Sequence, residues 1–376
     1  MPSIKLKDWN STCAIVLQGA ATPAEEAAQE AEAAKKKVIK TNRKYPKVLI
    51  GPTRSSKYND PQAEAIGNAF RFYTRTGQGL RERIKECIKN KTPFIIQEIV
   101  DRDAAQFQKP VEKFYDNFMK PAEIADLLKA AGELYLGREI LGEFGGMVYW
   151  PENSVIRVYG KLKPAKDLVE ARENYYAQLR EYSSKEHAYG NGPFLSVCSC
   201  MSFPSAENKL FDTFQLEMMP GDPERLASAF RGASRAYGMK KFNTLIAHGW
   251  YGGATWDELF FKRFQNALNF AYMAGFSAIF SESGHFGWPF YGYNIRREDP
   301  RCVRFRNIMR DFKDFCEVDE RPTGGPETPM AFMQGNLDGW PGLWAYNVWG
   351  QFTPDFAVGE AEQGWKLTDM VYRMSM

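Results

Sequence analysis

The chain has 376 residues, of which 44% are hydrophobic and 25% charged, with a formal net charge of +3. That composition supports a sizeable core and excludes a disordered chain. Lys and Arg are interspersed with Asp and Glu, so neither a nucleic acid nor an anionic membrane is an expected partner.

Six Cys and three His, with no CxxC pair, argue against a Cys/His zinc site. Cys198 and Cys200 lie two apart on a predicted strand and point the same way; buried thiols are expected there. The apolar run from Cys13 to Leu17 is too short for a signal peptide and follows Lys5, Lys7 and Asp8. No run reaches membrane-spanning length. As written the chain reads as cytoplasmic, and as secreted or periplasmic if its N-terminus is processed or truncated.

Short apolar runs alternate with helical patterns, the mark of a parallel sheet wrapped in helices. In chain order the runs are Cys13–Gly19, Lys47–Gly51, Pro93–Val100, Glu133–Leu141, Phe194–Cys200, Asp212–Met218, Thr244–Trp250, Ser277–Ser281 and Pro329–Gln334. The expected class is α/β, as a (β/α)8 TIM barrel with loop insertions. Nine candidate strands compete for eight places. Either the first is a preliminary strand or the last begins an extra C-terminal element.

Residues 1–44 are expected to lead into or form part of the barrel, 45–325 to form its body, and 326–376 to hold a last strand, a Trp-rich loop and a terminal helix, or the truncated start of a further domain. Thr22-Pro23-Ala24-Glu25 offers a capping box, Asp222-Pro223-Glu224 and Asp299-Pro300 open two later helices, and Gly275 stops the helix that carries Phe260 and Phe264. Thr323-Gly324-Gly325-Pro326 reads as a turn.

In such a barrel the active site lies at the C-terminal ends of the strands, and the residues found there are mostly carboxylates and aromatics. A strand running through Phe280 and Ser281 exits into Glu282, then Gly284 and His285. A Glu is costly to bury without a partner, so at a strand exit it suits a nucleophile or base, or else a salt-bridged structural acid.

Glu217 ends the run Phe214-Gln215-Leu216. Glu139 and Glu143 end the run that starts near Leu136, and Arg138 could pair with Glu139 as a purely structural unit. Glu98 is a weaker fourth position. His248, Trp250 and Tyr251 end another run, before Gly252-Gly253. Gln334-Gly335-Asn336-Leu337-Asp338-Gly339-Trp340 combines amides, an acid and an indole; Asn336 and Asp338 either bracket sugar hydroxyls or make local turn bonds. Seven of the nine Trp lie at or after Trp250, Trp288 among them.

The sequence holds no Walker loop, no GxGxxG between a strand and a helix, and no GxSxG elbow.

The strand-end acid of Phe280-Ser281-Glu282-Ser283-Gly284, with the Trp-rich loop from Trp340 to Trp349, resembles the nucleophile strand of barrel glycoside hydrolases of the retaining, two-glutamate type. The resemblance covers roughly residues 45–350 and is one of layout. It implies a glycosidase acting on a poly- or oligosaccharide, with Glu282 as nucleophile or base and Glu217 or Glu143 as the acid. Substrate contacts would come from Glu98, Glu139, His248, Trp250, Tyr251, His285, Trp288, Asn336, Asp338 and Trp340. It implies no metal and no organic cofactor.

Such enzymes usually carry the acid/base Glu after the fourth strand, often preceded by Asn, and no Asn-Glu pair ends a strand here. The rivals are a non-catalytic carbohydrate-binding barrel and a metal-dependent sugar-acid isomerase or lyase holding its ion with Glu98, Glu143, Glu217 and Glu282.

Overall fold

The computed structural model describes residues 42–55, 65–74, 80–98, 121–139, 165–188, 194–198, 212–218, 223–239, 241–247, 257–281 and 299–331, with single positions and short pieces at 24, 27, 28, 31, 207, 333, 335–337, 349, 370 and 374. Among the described residues the strands are β1 (Leu49–Ser55), β2 (Phe70–Thr74), β3 (Phe94–Glu98), β4 (Tyr135–Glu139), β5 (Phe194–Cys198), β6 (Thr213–Met218), β7 (Phe242–Ile246) and β8 (Ala278–Ser281). Between and after them come helices α1 (Leu80–Asn90), α2 (Pro121–Ala131), α3 (Leu168–Ala188), α4 (Pro223–Ala236), α5 (Glu258–Ala274) and α6 (Pro300–Val318). The class is mixed α/β with parallel strand pairing, and the chain divides into two compact units.

The first unit holds residues 1–54, 60–70 and 246–325. Its strands β1 and β8 pair in parallel, with Leu49 opposite Ala278 and Gly51 opposite Phe280. An added Cβ on Gly51 would lie 1.9 Å from the carbonyl oxygen of Ala69, so only glycine lets the chain pass there. Asn68 ties that passage down: its Oδ1 accepts from the Ile50 N–H at 2.7 Å and its Nδ2 donates to the Val48 carbonyl at 3.2 Å.

Helix α5 is opened by Asp257, whose side chain accepts from the Phe260 N–H, and closed by Gly275 at φ +97°. Asp299 caps α6 in the same way, with Pro300 in its first turn. The two helices bury facing aromatic rows; the Phe264 and Phe305 rings stack at 4.9 Å. At the end of α6 the Arg43 guanidinium donates to the carbonyls of Glu317 (2.8 Å) and Asp319 (2.7 Å), satisfying acceptors that a helix end leaves open.

The second unit holds residues 55–59, 71–245 and 326–376. Strands β3, β4, β5 and β6 form a continuous parallel ladder. Along β6 the two faces separate cleanly. Phe214 meets Phe230 of α4 at 5.7 Å, so Phe214, Leu216 and Met218 face the helices. Thr213, Gln215 and Glu217 occupy the opposite face. Trp349, fully buried, packs against Tyr175 and Tyr176 of α3 and donates its indole N–H to the Leu337 carbonyl at 3.1 Å.

Strand β2 has no counterpart among the expected runs. Arg71, its second residue, interrupts the apolar pattern; the residues on either side of that Arg, Phe70 and Phe72, are buried. The run Pro329–Gln334 is not a strand where it is described, at 329–331 and 333, and Met330 and Met333 are 79% and 93% exposed. The run Cys13–Gly19 and the Thr22-Pro23 cap lie outside the described residues.

Candidate active site

The face of the second unit that turns away from the helices carries a buried polar cluster. Its base is the pair Arg71–Glu139, with the two side chains 0% and 1% exposed. The guanidinium clamps the carboxylate with two bonds, Nε to Oε2 at 2.6 Å and Nη2 to Oε1. Gln215 adds a third, its Nε2 donating to Oε2 of Glu139 at 2.9 Å. A carboxylate sealed from water is tolerable only with such a full set of donors.

A β-bulge places Glu139 on that face. Phe94 registers with Tyr135, but Ile95 registers with Gly137, so Leu136 is the extra residue. Gly137 sits at φ +128°, a region that favours glycine. Side chains alternate along a strand, so without the bulge Tyr135 and Glu139, four apart, would share a face. With it, Tyr135 packs on Phe94 at 5.5 Å, and Phe94 on Phe72 at 6.1 Å, on one side of the sheet. Glu139 and Arg71 meet on the other.

The ladders carry the face onward. Glu139 registers with Leu195, Leu195 with Thr213, and Val197 with Gln215. Glu217, two residues past Gln215, lies on the same face and 1% exposed, at the C-terminal end of its strand. The cluster therefore runs from a charge-neutralised pair to a second carboxyl nearer the strand ends.

Of the residues expected at the site, Glu139 and Glu217 come together on this face. The partner of Glu139 is Arg71, whereas Arg138 sits one residue earlier in the ladder and so points to the other side. Glu98 ends β3, and its side chain lies outside the described residues. Asn336 is exposed in a turn, and its carbonyl accepts from Arg172 Nε at 3.1 Å. Glu143, His248, Trp250, Tyr251, Glu282, His285, Trp288, Asp338 and Trp340 lie outside the described residues.

Among the described residues no three of His, Cys, Asp and Glu are grouped to hold a metal ion. Sequence reasoning missed Arg71 and Gln215. The one available signal for Gln215 was its i−2 spacing from Glu217, which places both on one strand face.

No family model and no curated protein matches the chain. Solved structures similar to it include an active-site mutant of the Rhizomucor miehei β-1,3-glucanosyltransferase in complex with laminaritriose, at 11% identity and a TM-score of 0.38, covering 67% of this chain and 91% of that one. Another is the mannotriose complex of Thermomonospora fusca β-mannanase, at 10% identity and a TM-score of 0.40, covering 67% and 84%. Likeness at this level transfers neither a substrate nor a residue role.

Proposed function

We propose that the chain is a glycoside hydrolase built on a (β/α)8 barrel. The barrel reading is supported by parallel pairing within each unit, β1 with β8 in the first and β3 through β6 in the second. The observation that carries the catalytic reading is Glu217: a carboxyl 1% exposed, at the C-terminal end of β6, on the face turned away from the helices. A carboxyl at a strand end on that face is placed to serve as a general acid. Glu139, by contrast, is held by Arg71 and Gln215 and serves as the floor of the site.

In this reading Glu217 protonates the leaving oxygen of a poly- or oligosaccharide, and Glu282, directly after β8, acts as nucleophile or as the base that activates water. Glu143, four residues after β4, is the other acid candidate. Trp250, Tyr251, Trp288 and Trp340 stack on sugar rings, and His248, His285 and Asp338 bond hydroxyls.

The test is hydrolysis of a panel of polysaccharides and aryl glycosides by wild type, Glu217→Gln, Glu282→Gln and Glu143→Gln, with and without EDTA. The expected result is EDTA-insensitive cleavage, reduced by about 10²–10⁴-fold in Glu282→Gln and in Glu217→Gln. A folded wild type that binds polysaccharide and cleaves none of the panel would establish a carbohydrate-binding barrel instead. Cleavage abolished by EDTA would favour the metal-dependent alternative.

A further inference from the structure

We propose that residues 326–337, with Trp349 as their latch, form a strap that docks on α4 and α3 as one unit and leaves them without either helix unfolding. The inference is independent of the glycosidase reading.

Guanidinium groups of the two helices tie the strap at both ends. At α4, Arg231 Nη2 donates to the Pro326 carbonyl at 2.7 Å, and Arg235 Nη1 to Thr328 Oγ1 at 3.2 Å. At α3, Arg172 Nε donates to the Asn336 carbonyl at 3.1 Å. The next carbonyl, that of Leu337, accepts the Trp349 indole N–H at 3.1 Å. Between these ties the described residues form neither helix nor strand, and Met330 and Met333 are exposed.

Among the described residues of the strap and its latch, Trp349 is the buried one. Its ring lies 5.5 Å from that of Tyr175 and 5.8 Å from that of Tyr176. Its backbone sits at φ +49°, where a non-glycine residue is strained. Burial of the indole favours the docked state and this strain opposes it, so one residue carries both sides of the balance.

The seat on α3 does not need the strap. Arg172 Nη2 donates to both carboxylate oxygens of Glu207 at 3.0 Å, and the Tyr176 hydroxyl donates to the same carboxylate. The Arg172 guanidinium also lies 4.1 Å over the Tyr176 ring. These groups belong to residues outside the strap and hold one another when it leaves. The helices keep their own backbone bonds too, because the ties come from side chains. A segment held by few buried contacts opens at a lower free energy than the fold as a whole.

The test is fluorine NMR of the full chain carrying 5-fluorotryptophan at its nine Trp. The Trp349 resonance is the one missing from Trp349→Phe. In a urea titration a solvent-exposed signal for Trp349 is expected to grow before far-UV circular dichroism changes. Arg231→Gln and Arg235→Gln, at the opposite end of the strap, should each raise the population of that signal by about two- to fivefold, the equivalent of one lost hydrogen bond. Arg235 is exposed, so its variant carries the test where Arg231→Gln weakens α4 itself. A Trp349 resonance that changes only in step with the circular dichroism would overturn the proposal. So would an unmoved Trp349 population in Arg235→Gln, because the two ends would then act separately.

Discussion

Replacing Glu139 by Gln takes from the Arg71 guanidinium, buried at 0% exposure, the carboxylate that clamps it. Guanidinium does not deprotonate in a protein, so the charge has no escape. Charge centres about 4 Å apart at an effective dielectric of about 20 attract by about 4 kcal/mol. Breaking a buried pair by removing one partner typically costs about 3–5 kcal/mol, and Glu139→Gln is expected in that range.

The opposite deletion is milder. In Arg71→Met the Glu139 carboxyl loses its clamp, keeps the single bond from Gln215 and can take up a proton. Its folded pKa then rises above the unfolded value of about 4.3, so the folded state binds more protons. The deficit of Arg71→Met is therefore small near pH 4 and grows as pH rises through the new folded value, whereas that of Glu139→Gln is flat with pH. Replacing both residues should restore much of the loss, because no charge is stranded.

The assay is urea unfolding of the four chains followed by far-UV circular dichroism at about pH 5 and about pH 8. A coupling energy below about 1 kcal/mol would refute the buried-pair account. Equal pH dependence of the two single variants would refute the asymmetry.

Gly275 and Gly325 approach each other so closely that a Cβ on Gly275 would lie 2.2 Å from the Gly325 nitrogen, and Gly275 also holds φ +97°. Gly275→Ala is expected to cost about 3 kcal/mol and lower Tm by several degrees; a loss under about 1 kcal/mol would show that the turn at 323–326 moves aside freely. On α6, burial pushes the Asp311 carboxyl up to about 6, reinforced by Asp314 and opposed by Arg310. A carboxyl raised from 3.8 to about 6 makes the folded state bind more protons, so stability falls as pH rises between those values and stays lower above them. Asp311→Asn should abolish that slope and stabilise the chain above pH 6 by on the order of 2 kcal/mol. Parallel Tm-versus-pH curves for wild type and variant between about pH 4 and about pH 8 would count against it.

What the sequence disclosed was local. Asp257, Asp299-Pro300 and Gly275 mark helix ends because a cap is decided within four residues of chain. Strand β6 and its terminal Glu217 were legible because an apolar run ending in an acid is also a local pattern. Strand β2 was not, since the residue that breaks its apolar run, Arg71, is neutralised by a partner 68 positions away. The run Pro329–Gln334 misled for the converse reason. Its composition suits a strand, but a strand needs an edge to pair with, and no window of residues says whether one is present.

Gly137 shows how a single position can decide which face a site occupies. From spacing alone, Tyr135, Gly137 and Glu139 belong to one side of β4, and Leu136 and Arg138 to the other. That reading keeps Glu139 on the side of Tyr135 and hides its meeting with Arg71. The extra residue at Leu136, made possible by φ +128° at Gly137, reverses the parity of Tyr135 relative to Glu139. Tyr135 joins Phe94 and Phe72 on the side away from the cluster, and Glu139 turns to Arg71 and Gln215. The glycine thus serves the site without touching it. It lets one strand supply an aromatic to one side of the sheet and, four residues later, a carboxylate to the other, and on that carboxylate the orientation of Gln215 depends.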